Sequence, residues 1–279
     1  MRRIIFLSTL LIASFQLSAQ INFANALEIK TFLKSKTLVV LDEDPGAASF
    51  NEALKACVTK FWTITPYEFI NTQQFDAKKT SKAFSFIMLS EAESTEKGVS
   101  CKYNFLNLVL GGNADLNAMP DLGSVPLSYV DVDEASYLYK IGGLLLFMQT
   151  HIKYTNDHPG VKLELTNKDS GIDIKTKELW LLKEELPPNF NTLDKIKTVY
   201  PYTVKLVSKD DIKKAIEDKN PNVVYLHKVG PEGTMSGGKC WKFLVTANNG
   251  EVLYYDGHMI DSSNPDAFLV KDFKSIGKK

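Results

Sequence analysis

Short apolar runs alternate with amphipathic stretches along this chain, and the alternation predicts an α/β protein. Residues 37–44 begin with a β-branched and apolar stretch and stop at a Pro-Gly pair, which is typical of a buried strand followed by a turn. The apolar positions in residues 50–61 then follow helical spacing along one face. The same reasoning predicts the elements that come next: a strand at 67–71, a helix at 73–79, strands at 84–91 and 102–110, and a helix capped by Asp133.

The element pattern occurs a second time, with a period of roughly 140 residues that indicates an internal duplication. The clearest match joins residues 60–75 to residues 198–212, where an aromatic residue, a Tyr, an apolar strand and a polar helix start follow in the same order. Each copy predicts a β-α-β-α-β-β unit, then a further strand or loop and a helix. We therefore divide the chain into copy 1 at 27–154, a linker at 155–176 with a candidate hairpin at 161–165, and copy 2 at 177–279.

Two packings are consistent with this order of elements. One is a mixed sheet with helices on both faces, and the other is the thioredoxin-like topology β-α-β-α-β-β-α. A thioredoxin needs a Cys-x-x-Cys motif at the start of its first helix, where the thiolate is activated. The corresponding loops, residues 42–51 and 183–191, contain no Cys, which excludes redox chemistry of that kind. We expect mixed sheets flanked by helices, with a thioredoxin-like topology that lacks the redox cysteines as the alternative.

The N-terminus has the pattern of a secretory signal peptide over residues 1–19. Arg2 and Arg3 precede an apolar stretch at residues 4–15, and Ala19 is a small residue suited to cleavage. The apolar stretch is shorter than the ~20 residues of a membrane span, which favours a cleaved signal over the alternative of a retained anchor. No later apolar stretch is long enough to cross a bilayer, so we expect an exported protein, periplasmic or extracellular, without an integral membrane segment.

The charge of the chain gives no reason to expect a nucleic-acid partner. Lys and Arg together number 33, the same as Asp and Glu, and the formal net charge is zero when His is neutral. Basic residues are interspersed with acidic ones, as in residues 209–219. Such mixing is typical of a solvated helix face and not of a basic patch.

Three cysteines in an exported chain cannot all pair with one another. Cys101 and Cys240 open matching strands of the two copies, and Cys57 lies in the helix predicted at residues 50–61. Free cysteines are often small buried apolar residues, and this is the interpretation we favour. A disulfide between Cys57 and Cys101 is the alternative.

Acidic residues follow the first strand of each copy, Asp42 and Asp44 in copy 1 and Glu184 in copy 2. In open α/β sheets, ligands bind beyond the carboxyl ends of the strands, so these carboxylates are candidates for a binding cleft. The alternative is that they are simply solvated, as charges in a strand-to-helix turn usually are.

Copy 2 carries a second candidate group on its predicted strands, formed by His227, Asp256 and His258. Such a group can bind a metal or relay a proton when its members converge. The alternative is that both histidines are strand residues whose ring nitrogens bond to the backbone. Paired metal-ligand spacing such as His-Glu-x-x-His is absent from the sequence, so we predict no metal ligands.

Three further features give weaker signals. Residues 233–240 come close to a phosphate-binding loop, but Cys240 replaces the hydroxyl residue and a strand follows instead of a helix, so we predict a Gly-rich hairpin loop. Residues 111–126 predict a long loop, and loops of that length are often functional. Trp241 and the Tyr254-Tyr255 pair fall on predicted strands, which favours core and interface roles over a platform for a sugar.

The absence of a catalytic constellation in the sequence decides the functional hypothesis. We expect a non-enzymatic envelope or secreted module that binds a protein or a small-molecule ligand, without a cofactor. The alternative is a hydrolase or metal-dependent enzyme that uses Asp256, His227 and His258, with the Gly-rich loop as a lid. A third hypothesis makes residues 111–126 a recognition surface on one body built from both copies. Convergence of the two histidines in a cleft would favour the enzyme.

Overall fold

Two mixed β-sheets, each with five strands, form the framework of the protein. The computed structural model describes residues 22–96, 98–159, 171–233, 235 and 237–278. The predicted signal peptide at 1–19 and the candidate hairpin at 161–165 lie outside the described residues.

The first sheet belongs to copy 1 and has the strand order β2-β1-β3-β4-β5. Its strands are β1 (Lys36–Val40), β2 (Tyr67–Ile70), β3 (Phe84–Glu96), β4 (Val99–Leu110) and β5 (Val125–Tyr129). Strand β1 runs parallel to both β2 and β3, whereas β4 runs antiparallel to β3 and β5. The helices of this half are α1 (Ala26–Phe32), α2 (Ala48–Phe61), α3 (Thr72–Lys78) and α4 (Ile141–Asp157).

The second sheet repeats this arrangement with the order β7-β6-β8-β9-β10. Its strands are β6 (Glu178–Leu181), β7 (Val204–Leu206), β8 (Val223–Val229), β9 (Lys239–Thr246) and β10 (Val252–Met259). The strand directions match those of the first sheet one for one. Its helices are α5 (Leu193–Lys197), α6 (Lys209–Glu217) and α7 (Val270–Lys278). The predicted fold class, a duplicated α/β unit with mixed sheets and flanking helices, is confirmed.

Two features of copy 1 differ from the sequence prediction. Helix α1 was not expected, and it begins at a capping box in which the Asn25 side chain accepts from the Glu28 N–H while the Glu28 carboxylate accepts from the Asn25 N–H. Asp133 does cap a helical turn, but that turn is a short 3-10 helix, Glu134–Ser136, and α4 itself begins at Ile141.

One layer of helices lies between the two sheets and joins them into a shared core. The largest cluster of buried apolar side chains takes members from α1, α2, α4 and α6 and from the inner faces of both sheets. Helix α4 is buried on nearly every side over its first half, which explains why its sequence is apolar all round. The outer faces of the sheets pack against α3 in copy 1 and against α5 and α7 in copy 2.

The two glycines in α4 make room for aromatic side chains. A methyl group at Gly142 would collide with the ring of Phe61, and one at Gly143 would collide with the Tyr225 hydroxyl. The Gly143 contact brings copy 2 directly against α4, since Tyr225 lies on β8.

The structure shows whether the cysteines form a disulfide and whether any described helix could span a membrane. Cys57 is half-buried, Cys101 and Cys240 are buried, and none of them is in a disulfide. The favoured interpretation as buried apolar residues agrees with the structure for Cys101 and Cys240, whereas Cys57 is only partly buried. Within the described residues, no helix combines the length and apolar character that a bilayer span requires.

Candidate functional site

The acidic residues after β1 shape the turn that leads into α2. Both Asp42 and Asp44 are exposed. The Asp42 Oδ1 accepts the Asp44 N–H at 2.9 Å, and the Asp44 Oδ1 accepts the Gly46 N–H at 2.7 Å. Asn51 fastens the same turn to α2, because its side chain bonds both the N–H and the carbonyl of Asp42. These carboxylates are thus engaged in local turn geometry.

Glu184 occupies the matching place in copy 2 and is exposed, but its neighbour Glu185 is buried. The Glu185 carboxylate pairs with Lys140 at 3.1 Å, and both side chains are almost fully enclosed. Burial raises the pKa of the Glu185 carboxyl, while the charges of Lys140 and Lys228 oppose that effect. This ion pair ties the start of α4 to copy 2, and the sequence did not reveal it because its members are far apart in the chain.

Both histidines of the second candidate group bond to proline carbonyls. The Nε2–H of His227 donates to the Pro126 carbonyl at 2.9 Å, and the Nε2–H of His258 donates to the Pro265 carbonyl at 2.9 Å. A carbonyl can only accept, so each ring carries its proton on Nε2. Burial lowers the pKa of both rings, that of His227 to about 3.

His227 and His258 point to opposite faces of the second sheet. Across the ladder, His227 stands opposite Phe243 and His258 stands opposite Cys240. Paired residues share a face, and residues three apart in one strand lie on opposite faces. The two imidazoles therefore do not converge. Among the described residues, no group of three or more His, Cys, Asp or Glu side chains is placed to hold a metal ion.

Asp256 belongs to a charged cluster that holds α7 against the second sheet. The buried Lys242 ammonium lies 3.0 Å from Asp256 and 2.6 Å from Asp272, and the Tyr254 hydroxyl donates to Asp272 at 2.8 Å. Burial pushes the pKa of Asp256 upward, but its hydrogen bond and ion pair with Lys242 outweigh that effect and leave the pKa lowered. The geometry gives Asp256 a structural partner and does not place it beside His227.

A cleft of about 240 Å³ with mainly aromatic walls lies between the two copies. We call it the aromatic cleft. Strands β4, β9 and β10, helix α4 and the segment before α1 all contribute to it. Its six aromatic residues are Phe23, Phe105, Phe147, Trp241, Phe243 and Tyr255, and its polar side chains are Asp121, Ser124 and His151.

The walls of the aromatic cleft follow from strand geometry. Trp241 and Phe243 are two apart on β9, so they share the face that looks toward copy 1. Tyr255 stands opposite Phe243 on β10, and their ring centroids are 5.0 Å apart. From copy 1, the ring of Phe105 packs edge-on against Trp241, with the ring centroids 6.1 Å apart. Strands β4 and β9 occupy corresponding places in the two copies, so the duplication itself brings these aromatic residues together.

Asp121 organises the polar side of the aromatic cleft. Its Oδ1 accepts the N–H groups of Gly123 at 3.0 Å and Ser124 at 2.8 Å, which closes a tight loop. Its backbone N–H donates to the Asn22 carbonyl, and its carbonyl accepts the Ala24 N–H, so the backbone of Asp121 holds Phe23 at the mouth. Phe23 is 56% exposed and Tyr255 is 40% exposed.

His151 forms the remaining polar part of the wall and stacks on Phe147, with centroids 5.5 Å apart. Burial lowers the pKa of His151, against the smaller opposing effect of Asp121.

The sequence favoured core or interface roles for Trp241 and Tyr255 and predicted a cleft at the carboxylates after the first strands, not at these aromatic residues. The available signal was the alternation of aromatic residues in two matching strands, Tyr103 and Phe105 on β4 and Trp241 and Phe243 on β9. This alternation indicates a cleft only when the two copies are aligned in sequence and then packed against each other in the structure. Comparison of the chain with protein-family models, with curated proteins and with solved structures finds no match.

Proposed function

We propose that the protein is an exported, non-enzymatic binding module that takes a small, largely apolar ligand in the aromatic cleft. The observation that carries the proposal is the convergence of six aromatic side chains on one concave site between the copies. Ligand sites are typically concave, mostly apolar, and supplied with a few polar groups, and clefts between domains are common places for them.

The exposure of Phe23 and Tyr255 at the mouth supports the same conclusion. Single apolar residues on a surface are common, but two large aromatic side chains on the rim of an aromatic cleft form a continuous apolar patch with its walls. The cleft volume of about 240 Å³ is smaller than the range of roughly 300–1,000 Å³ for drug-sized ligands. We therefore propose a ligand of modest size.

Two other surface cavities fit a ligand less well. One, of about 330 Å³, lies beside Lys30, Lys34 and Lys82, on flexible surface side chains. The other, of about 410 Å³, runs between α2 and α6, and its charged side chains are of both signs, so it offers no consistent charge. Neither has the convergent aromatic faces of the aromatic cleft.

The exported part of the proposal rests on the signal-peptide pattern of residues 1–19. Export would present the cleft to ligands of the periplasm or the cell exterior. Cell fractionation and N-terminal sequencing of the protein from a Gram-negative host test this part. Recovery outside the cytoplasm with Gln20 as first residue is expected, and recovery of the uncleaved chain in the cytoplasm contradicts it.

The binding part is tested with N-phenyl-1-naphthylamine, a neutral apolar probe whose fluorescence rises in an apolar site. We expect saturable binding to the wild type and loss of binding in Ser124→Phe, which fills the cleft from its polar side. Leu193→Ala is the matched control, because it changes a large exposed apolar residue that does not line the cleft. Equal binding by wild type and Ser124→Phe contradicts the proposal.

A further inference from the structure

The aromatic cleft has a distinct charge character. Among the described residues that line it, Asp121 is the one that carries a formal charge, and no Lys or Arg is present. Both hydrogen bonds that the Asp121 carboxylate accepts within the described chain fall on Oδ1. This leaves Oδ2 to interact with a bound molecule.

The aromatic walls add to the negative electrostatic character that Asp121 gives the cleft. The face of an aromatic ring carries negative charge density, and several faces together attract a cation, as in sites for quaternary ammonium groups. The rings of Phe243 and Tyr255 are neighbours in this wall, with planes inclined by 34° to each other. The Lys239 ammonium already lies 5.7 Å from the centroid of Trp241, outside the lining of the cleft.

We propose that the aromatic cleft selects a small organic cation, an ammonium group carried on an apolar body, over anions of the same size. The apolar body packs on the rings, and the charged group lies near Asp121. An anion would meet the Asp121 carboxylate and the negative ring faces without a basic partner. This inference rests on the proposed function, because it names the ligand class of the same cleft.

The experiment compares benzyltrimethylammonium with benzenesulfonate as displacers of bound N-phenyl-1-naphthylamine. Both compounds carry one aromatic ring, and their charges are opposite. We expect the cation to displace the probe at a concentration about tenfold lower than the anion. The measurement is made at low ionic strength and repeated at 0.15 M salt, where the difference should shrink but persist because the cleft is partly enclosed.

Two variants separate the charge from the ring faces. Asp121→Asn keeps the Oδ1 acceptor for Gly123 and Ser124 and removes the charge, so the concentration ratio by which the cation displaces the probe better than the anion should fall about tenfold. Tyr255→Leu keeps apolar area and removes one aromatic ring, so the preference for the cation over the anion should fall in this variant as well. Asp133→Asn is the control: its carboxylate caps a turn in the same way, at the Ala135 N–H, away from the cleft.

The outcomes distinguish the two proposals. If the neutral probe binds in the cleft but both displacers act equally, or Asp121→Asn leaves the cation affinity unchanged, the cation inference is wrong and the proposed function stands. If the probe does not bind to the wild type and neither displacer binds by calorimetry, both proposals fail. Should Asp121→Asn unfold, Tyr255→Leu alone decides the inference, because Tyr255 lies at the exposed rim.

Discussion

The rings of Tyr103 and Trp241 stack face to face across the boundary between the two copies. Their centroids are 4.8 Å apart and their planes are inclined by only 8°. Tyr103 lies on β4 and Trp241 on β9, so corresponding strands of the duplicated unit meet through this pair. Next to it, the Tyr129 hydroxyl donates to the Lys239 carbonyl at 2.8 Å and accepts the Lys239 N–H at 2.9 Å. The two copies are thus joined by stacking and by a double hydrogen bond.

The stack predicts a measurable coupling between the copies. We expect Tyr103→Leu and Trp241→Leu, combined in a double-mutant cycle, to show a coupling free energy of about 0.5–1.5 kcal/mol, the value usual for aromatic pairs. Urea denaturation of the four proteins provides the measurement. The pair Phe75 and Phe86, within copy 1, serves as an internal comparison at 4.9 Å. Strict additivity of the Tyr103 and Trp241 variants contradicts the prediction.

The buried pair of Lys140 and Glu185 predicts a larger loss of stability. Lys140→Met leaves the Glu185 carboxylate enclosed without its partner, and breaking such a pair costs about 3–5 kcal/mol. Adding Glu185→Leu should recover much of the loss, because no buried charge then remains. Lys214→Met is the control at an exposed ion pair, and its unfolding curve should match that of the wild type. Thermal and urea unfolding of all four proteins checks the prediction, and a Lys140→Met protein as stable as the wild type opposes it.

The fold could be predicted from the sequence because its signals are local and occur twice. Each strand and helix is encoded by a short run of residues. Because the pattern occurs twice, each assignment in one copy could be checked against the matching segment of the other. Helix α1 was not predicted because only two of its residues, Ile29 and Phe32, are buried, and two positions do not define a helical periodicity. Its Asn25 and Glu28 nonetheless have the spacing of a capping box, which was a usable signal.

The candidate site could not be predicted because it depends on strand register and on packing between copies. That β8, β9 and β10 are neighbours was a reasonable expectation, but whether His227 and His258 share a face depends on which residues stand opposite them on β9. A shift of one residue would reverse the answer. The aromatic cleft likewise gathers Phe23, Phe105 and Tyr255 from distant parts of the chain, and no local pattern relates them.

The hairpin between β9 and β10 packs on α4 through Gly250, which predicts a steric effect. Gly250 has φ +74°, and a methyl group there would collide with the Phe147 amide and lie 2.7 Å from the Leu146 carbonyl carbon. Gly250→Ala should therefore cost more than the 1–2 kcal/mol of the left-handed backbone alone. Gly98→Ala isolates that backbone cost, since Gly98 has φ +80° and open space around it. Chemical denaturation measures the free energy of unfolding of both variants. An equal loss of stability in both would mean that α4 shifts to accommodate the methyl group at no measurable cost in free energy.

The buried imidazole of His227 predicts that stability falls with acid. Burial and then the charge of Lys140 lower its pKa from 6.5 to about 3 in the folded protein. Above pH 6.5 the ring is neutral whether the chain is folded or not, so its full contribution is present. Between pH 6.5 and 3 the unfolded chain takes up a proton that the folded chain excludes, so the free energy of unfolding falls by up to about 1.4 kcal/mol per pH unit from this residue.

His227→Gln tests this dependence, because the glutamine amide can still donate to the Pro126 carbonyl and does not titrate. Urea denaturation at pH 7.5, 6.0 and 5.0 should show a shallower loss of stability in the variant than in the wild type. His258→Gln should change the slope in the same direction, because burial lowers the pKa of His258 as well. The prediction is wrong if the stability of His227→Gln depends on pH as steeply as that of the wild type. The His227 ring of the wild type would then take up its proton in the folded state, by turning Nδ1 toward solvent. This atom has no hydrogen-bond partner among the described residues.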